Sequence, residues 1–228
     1  MRGEKLRVGV LVSGGGTNLQ ALLDEASSEG APFMISVVIS SKPSAFALQR
    51  AASCGVRAAV VDFDDCGDRR EFTDRISRIL KDEKVDLVCM AGFLRILDPS
   101  FFLEFGGRVM NTHPALLPAF GGKGMYGSHV YRAVIESGAR FSGATVHFAT
   151  AETDVGPIVS QGVVSVEDSD TIETLSSKVR CVELQLYPEA VRLYALGCLE
   201  VDGMRVRRVP PKKEKTYTEG CDCSEGID

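Results

Sequence analysis

The chain is predicted to fold as an α/β protein with a doubly wound, mostly parallel sheet, and three features predict this. Short β-branched runs alternate with helix-length amphipathic stretches through the first half, a glycine-rich turn follows the first run directly, and two neighbouring strand-like runs break the alternation in the second half.

The strand-like runs are Arg7–Val12, Phe33–Ile39, Ala58–Val61 and Asp86–Met90, and the helical stretches between them are Asn18–Ser28, Ala45–Cys54 and Arg69–Glu83. Strands separated by helices pair in parallel, because the crossover returns each strand in the same direction. A fifth strand, Arg108–Met110, ends at Asn111, and a turn-rich stretch from Pro114 to Gly127 leads to a helix at Val130–Ser137. Ser142–Ala149 and Ile158–Val166 are two strands joined by a loop rich in Gly and Asp, and they add antiparallel strands to the C-terminal half. Thr171 and Glu173 open a long helix that ends near Leu196. Residues 1–209 are expected to form one domain and 210–228, polar and without apolar periodicity, a flexible tail.

A chain of 228 residues with 44% hydrophobic residues, 25% charged residues and a net charge of -5 has the balance of a soluble globular protein. No basic excess points to nucleic acid. The charged start Met1–Lys5 and the short run Val8–Val12 provide neither a signal segment nor a membrane span, so the cytoplasm is the expected compartment. Cys54, Cys66, Cys89, Cys181 and Cys198 stand apart and are expected to be reduced packing residues, whereas Cys221 and Cys223 form a lone pair in the tail. Histidines at 113, 129 and 147 have no metal-ligand spacing, and no metal is expected.

Ser13-Gly14-Gly15-Gly16-Thr17-Asn18 follows the first strand and precedes a helix. Glycines let the backbone turn its N–H groups toward a ligand, and the helix N-terminus adds unpaired donors and the positive end of a dipole. A phosphate fits there; so does a plain turn with Thr17 or Asn18 as the helix cap. A dinucleotide does not fit, because position 19 is Leu and the second strand ends in Ser40-Ser41-Lys42 without an acid for a ribose. Asn111 and His113, two apart in a strand, project into one crevice. There an amide can donate to an oxyanion and an imidazole can move protons, the needs of acyl transfer to an amine; the two residues fit a capped turn with a satisfied histidine equally well.

Four motifs then carry a resemblance: the Ser13–Asn18 turn with Leu19-Gln20-Ala21, the run Met90-Ala91-Gly92-Phe93-Leu94-Arg95-Ile96-Leu97, Asn111-Thr-His113-Pro-Ala-Leu-Leu-Pro118, and Thr145-Val-His147-Phe with Asp154-Val-Gly-Pro157. In order and spacing, from about Leu6 to Arg207, they resemble the phosphoribosylglycinamide formyltransferase family, which has a Rossmann-like formyltransferase fold. The resemblance implies transfer of a formyl group from the cosubstrate 10-formyltetrahydrofolate to glycinamide ribonucleotide in purine synthesis. It also implies no metal, no nucleic-acid or membrane partner, and a monomer or homodimer.

By position, Gly16, Thr17 and Asn18 match the loop that holds the ribonucleotide phosphate. Asn111 matches the oxyanion-stabilising amide, which also meets the folate. His113 matches the catalytic acid/base, and Asp154 matches the carboxylate that strengthens that histidine as a base and orders a water. Leu94, Arg95, Ile96 and Leu97 match the pteridine pocket. Arg70, with Arg69 beside it in an alternative register, matches a residue that meets the folate glutamate. Glu183 matches an acid that binds the ribonucleotide; on sequence alone it is equally a solvated helix charge. The stretch between Pro118 and Val130 is longer than in the familiar enterobacterial form, which leaves His129 without a counterpart. His147 is expected to be a hydrogen-bonded structural residue close to the site.

Overall fold

In β1 (Leu6–Val12), Val8, Val10 and Val12 join one core with Leu19, Leu22, Tyr187 and Val191, and Leu11 joins another with Phe72, Ile76 and Leu80. A strand apolar on both faces needs helices over both. The helices α1 (Thr17–Ser27) and α6 (Ile172–Ala195) cover the first face, and α3 (Arg69–Asp82) and α4 (Pro99–Glu104) the second. Each leucine or phenylalanine fully buried there contributes about 2 kcal/mol. On the second face α3 comes close enough that a Cβ on Gly9 would lie 2.5 Å from Leu80 Cδ2, so any larger residue would have to displace Leu80. This computed structural model describes residues 5–211, so Cys221, Cys223 and nearly all of the expected tail lie outside the described residues.

The remaining elements are β2 (Phe33–Ser40), α2 (Ala47–Ser53), β3 (Ala58–Val60), β4 (Leu87–Met90), β5 (Val109–His113), α5 (Ser128–Glu136), β6 (Phe141–Phe148), β7 (Ile158–Ser165), β8 (Leu199–Asp202) and β9 (Arg205–Arg208). They form one sheet in the order β3-β2-β1-β4-β5-β6-β7-β9-β8. The pairings from β3 to β5 are parallel, and β5–β6 and β6–β7 are antiparallel. From β1 the chain winds outward through β2 to β3, then returns to the other side of β1 as β4. The order of strands therefore reverses between β1 and β4, and in open sheets ligands bind outside the carboxyl ends of the strands at such a point.

Four departures from the predicted elements have physical causes. β5 runs on through Asn111 to His113, because β6 pairs with this stretch residue for residue and overrides its turn-like composition. α4 was not predicted, although Asp98 caps it with a side-chain bond to Ser100 N–H and Pro99 occupies its first turn. The β8–β9 hairpin was not predicted either; its strands are four residues each and mostly exposed, and they turn at Gly203 with φ 57°. Finally, α1 is capped by Gly16 at φ 72°, without any side-chain bond from Thr17 or Asn18.

Candidate active site

The turn after β1 directs its oxygens away from the sheet edge. Gly14 C=O accepts Ala47 N–H at 3.1 Å, Gly15 C=O accepts Arg50 Nε–H at 2.8 Å, and Gly16 C=O accepts Gln20 N–H at 2.9 Å. The N–H groups of Gly16, Thr17 and Asn18 consequently have no partner among the described residues. Three such donors at a helix N-terminus suit an anion. Gly16 is required twice over. Its φ is positive, and a Cβ would lie 2.7 Å from the Cβ of Ala47.

The turn after β4 forms a second empty cradle. Gly92 bends the chain at φ 68°, and the backbone of Arg95, Ile96 and Leu97 makes no hydrogen bond within the described residues. Leu94 and Ile96 are 57% and 63% exposed, whereas Leu97 is buried. Exposed apolar side chains beside unpaired backbone groups suit a flat heterocycle with polar edges. Arg95 lies over the Phe63 ring at 4.9 Å and 3.8 Å from Asp64. Arg69 is 3.8 Å from Asp98, next to this segment, whereas Arg70 is 4.0 Å from Asp74 along the helix.

β5 and β6 bring the reactive side chains together. Asn111 is directly opposite His147, and His113 opposite Thr145, so all four side chains share one face. His113, 3% exposed, donates from Nε2 to Phe120 C=O at 2.8 Å and presents Nδ1 to Asp154 Oδ2 at 3.4 Å. The same Oδ2 accepts Gly122 N–H at 2.9 Å. Asp154 reaches this position with φ 56°, a left-handed conformation that Asp tolerates better than most residues. Thr145 Oγ1 fixes the loop leaving His113, accepting Leu117 N–H at 3.0 Å and donating to Ala115 C=O at 2.7 Å.

His147 was assigned a structural role from the sequence, and its contacts extend that role to the amide. Burial holds its pKa below the ordinary histidine value, so the ring is neutral. Nδ1 faces Phe148 C=O at 3.1 Å and must carry the hydrogen; Nε2 then accepts from Asn111 Nδ2 at 3.2 Å. This orients the Asn111 amide with its second N–H free of any partner among the described residues. His129 packs edge-on against Tyr126 at 5.3 Å instead.

On the opposite face of β5, Thr112 Oγ1 donates to Glu183 Oε1 at 3.0 Å. Glu183 is 8% exposed, which excludes the solvated-charge alternative, and burial raises its pKa above the usual carboxylate range. The neighbouring Asn18 side chain opposes this shift, and Asn18 Oδ1 is a buried acceptor with no partner among the described residues. Together Glu183 and Asn18 offer acceptors beside the unpartnered Gly16–Asn18 amides. A groove of about 770 Å³ beside α1 and α6 meets this constellation only at Thr17.

Residues 6–191 match the formyl transferase family. The chain belongs to that family. A phosphoribosylglycinamide formyltransferase of Haemophilus influenzae is 36% identical over 195 residues, covering 86% of this chain and 90% of the relative. Glycinamide ribonucleotide transformylase 1 from Symbiobacterium toebii superposes with a TM-score of 0.86 at 41% identity, covering 91% of this chain and 96% of that one. The trifunctional purine biosynthetic protein adenosine-3 of Gallus gallus is 39% identical over 197 residues, and the chain spans only 19% of its length. In this formyl transferase every expected site residue, from Gly16 to Glu183, lies within the matched segment. No helix among the described residues is long and apolar enough to cross a membrane, and none of their His, Cys, Asp and Glu side chains form a group of three or more that could hold a metal.

Proposed function

We propose that this formyl transferase moves the formyl group of 10-formyltetrahydrofolate onto the amine of glycinamide ribonucleotide, as in purine synthesis. The observation that carries the reading is a convergence: the amide of Asn111, the imidazole of His113 and the carboxylate of Asp154 stand at the sheet edge where the Gly16–Asn18 amides and the Arg95–Leu97 backbone have no partner among the described residues.

In this reading the Gly16–Asn18 amides hold the ribonucleotide phosphate, and Glu183 accepts hydrogen bonds from the rest of that substrate. Leu94, Arg95, Ile96 and Leu97 hold the pteridine, with Arg69 or Arg70 near the glutamate. The amine attacks the formyl carbon, forming the new C–N bond. The second N–H of Asn111 donates to the oxyanion, and the positive charge of protonated His113, held between Phe120 C=O and Asp154, stabilises it. Asp154 holds His113 and a water through which the attacking amine's proton reaches the departing folate nitrogen as the old C–N bond breaks. No metal and no covalent enzyme intermediate take part, and the setting is cytoplasmic.

The test is to incubate the purified protein with 10-formyltetrahydrofolate, with and without glycinamide ribonucleotide. Folate deformylation that depends on the nucleotide and yields a formylated product is expected. Deformylation at the same rate without the nucleotide would make the protein a hydrolase and overturn the assignment.

A further inference from the structure

Ser13 and Ser41 are two buried hydroxyls, 4% and 1% exposed, to which no step above gives a role. Their Oγ atoms lie 2.6 Å apart, and Ser13 Oγ also accepts the N–H of Leu94 at 2.9 Å. Ser41 is held in turn by Val12 C=O, which accepts its N–H at 3.0 Å. Three connections, those leaving β1, β2 and β4, therefore meet at one hydroxyl pair where the strand order reverses.

The consequences fall on the segment after β4. The ladder between β1 and β4 ends where Ala91 N–H reaches Leu11 C=O at 2.9 Å, and Gly92 then turns the chain outward. Beyond that turn the segment's backbone is hydrogen-bonded to other elements at two places among the described residues, both of them hydroxyls: Leu94 N–H to Ser13, and Asp98 N–H to Thr73 Oγ1 at 2.9 Å. Arg95, Ile96 and Leu97 are suspended between these ties with their backbone groups unpaired. On its other side Ser13 is followed at once by Gly14 and the anion-binding turn.

We propose that Ser13 is a positioning residue that registers the folate-binding segment against the phosphate-binding turn, an inference that rests on the reading of those two cradles given above. Removing its oxygen leaves the Leu94 N–H without an acceptor and frees the proximal end of the segment. The reacting side chains on β5 and β6 are untouched.

The experiment compares Ser13→Ala with Ser41→Ala, which also deletes a buried hydroxyl but keeps the bond from Leu94 to Ser13. Steady-state constants for both substrates are measured together with Tm, and the Kd for tetrahydrofolate is measured by calorimetry without turnover. Ser13→Ala should raise the KM for the formyl donor and the Kd for tetrahydrofolate about tenfold, the effect of losing one well-made hydrogen bond. Its kcat and its KM for the ribonucleotide should stay within about twofold on the same basis. Ser41→Ala should lower Tm comparably while leaving folate binding near wild type. Ser13→Cys, which fills the same space with a weak acceptor, should reproduce the loss and serves if the alanine variant is not recovered folded. Unchanged folate affinity in the Ser13 variants, or an equal loss in Ser41→Ala, overturns the proposal. A wild-type protein that binds no tetrahydrofolate overturns the underlying reading of the pocket as well.

Discussion

Where β1 and β4 end, the chain offers a ligand its backbone; where β5, β6 and α6 meet, it offers side chains. The parallel half presents the unpaired amides of Gly16–Asn18 and the free peptide groups of Arg95–Leu97. The antiparallel half presents two contacting pairs, Asn111 with His147 and His113 with Asp154, and Glu183 on the far face of β5. The difference follows from strand direction. Parallel strands all end at one edge and hand over to turns, whose peptide groups are free of the ladder. An antiparallel neighbour instead extends the ladder to the edge, so that side chains on facing residues touch directly. Recognition by backbone depends on local shape, while chemistry by side chains depends on identity.

The largest expected effect is on the side-chain half. Asn111→Leu keeps the shape and removes the oxyanion donor, and turnover should fall about 10²- to 10³-fold with both KM values little changed. Steady-state kinetics at saturation check this, and ordinary turnover would place the oxyanion elsewhere.

Glu183→Gln should weaken ribonucleotide binding about tenfold or more, because a charged acceptor becomes a neutral amide. Its pH behaviour separates binding from stability. With the folded pKa raised by burial, the stability contributed by this group is present at low pH and is lost as pH rises through the folded value. The variant should therefore keep or raise its Tm at pH 8 while its KM suffers. In the wild type the ribonucleotide KM should climb as pH falls through that raised pKa, and in the variant this dependence should vanish. A wild-type KM flat across that range would remove the carboxylate from the ribonucleotide site.

In the backbone half, Gly16→Ala should raise the ribonucleotide KM several-fold and destabilise the fold by about 1–2 kcal/mol for the left-handed conformation alone. The 2.7 Å contact with Ala47 adds to that cost. Thermal unfolding and kinetics together test it, and a stable variant with normal KM would show that the turn holds no phosphate.

The smallest effect separates two neighbours. Arg69→Ala should raise the formyl-donor KM more than Arg70→Ala, each by less than about fivefold, since both guanidinium groups are solvent-screened. The reverse order would place Arg70 against the donor.

Much of this was legible in the sequence because the signals are local. The βα rhythm identified the parallel half, and three consecutive glycines marked the turn at Gly16. What was not legible depends on partners remote in sequence. β5 extends to His113 only because Thr145, Val146 and His147 sit beside it, and the burial of Glu183 depends on a strand 71 residues away. The tie between Asn111 and His147 was invisible for the same reason: it comes from the register of two strands 36 residues apart. α4 is a different case, since its Asp98-Pro99 start was a readable signal that went unused.

The amides left bare at the starts of two turns make the site visible to a solvent isotope. In the free protein the hydrogens on Gly16, Thr17, Asn18, Arg95, Ile96 and Leu97 should exchange with deuterium rapidly, while those of β1 and β4 beside them stay protected. The ribonucleotide alone should slow the first three and the folate alone the last three. That pattern would label the two proposed subsites separately, with no substitution needed to tell one from the other.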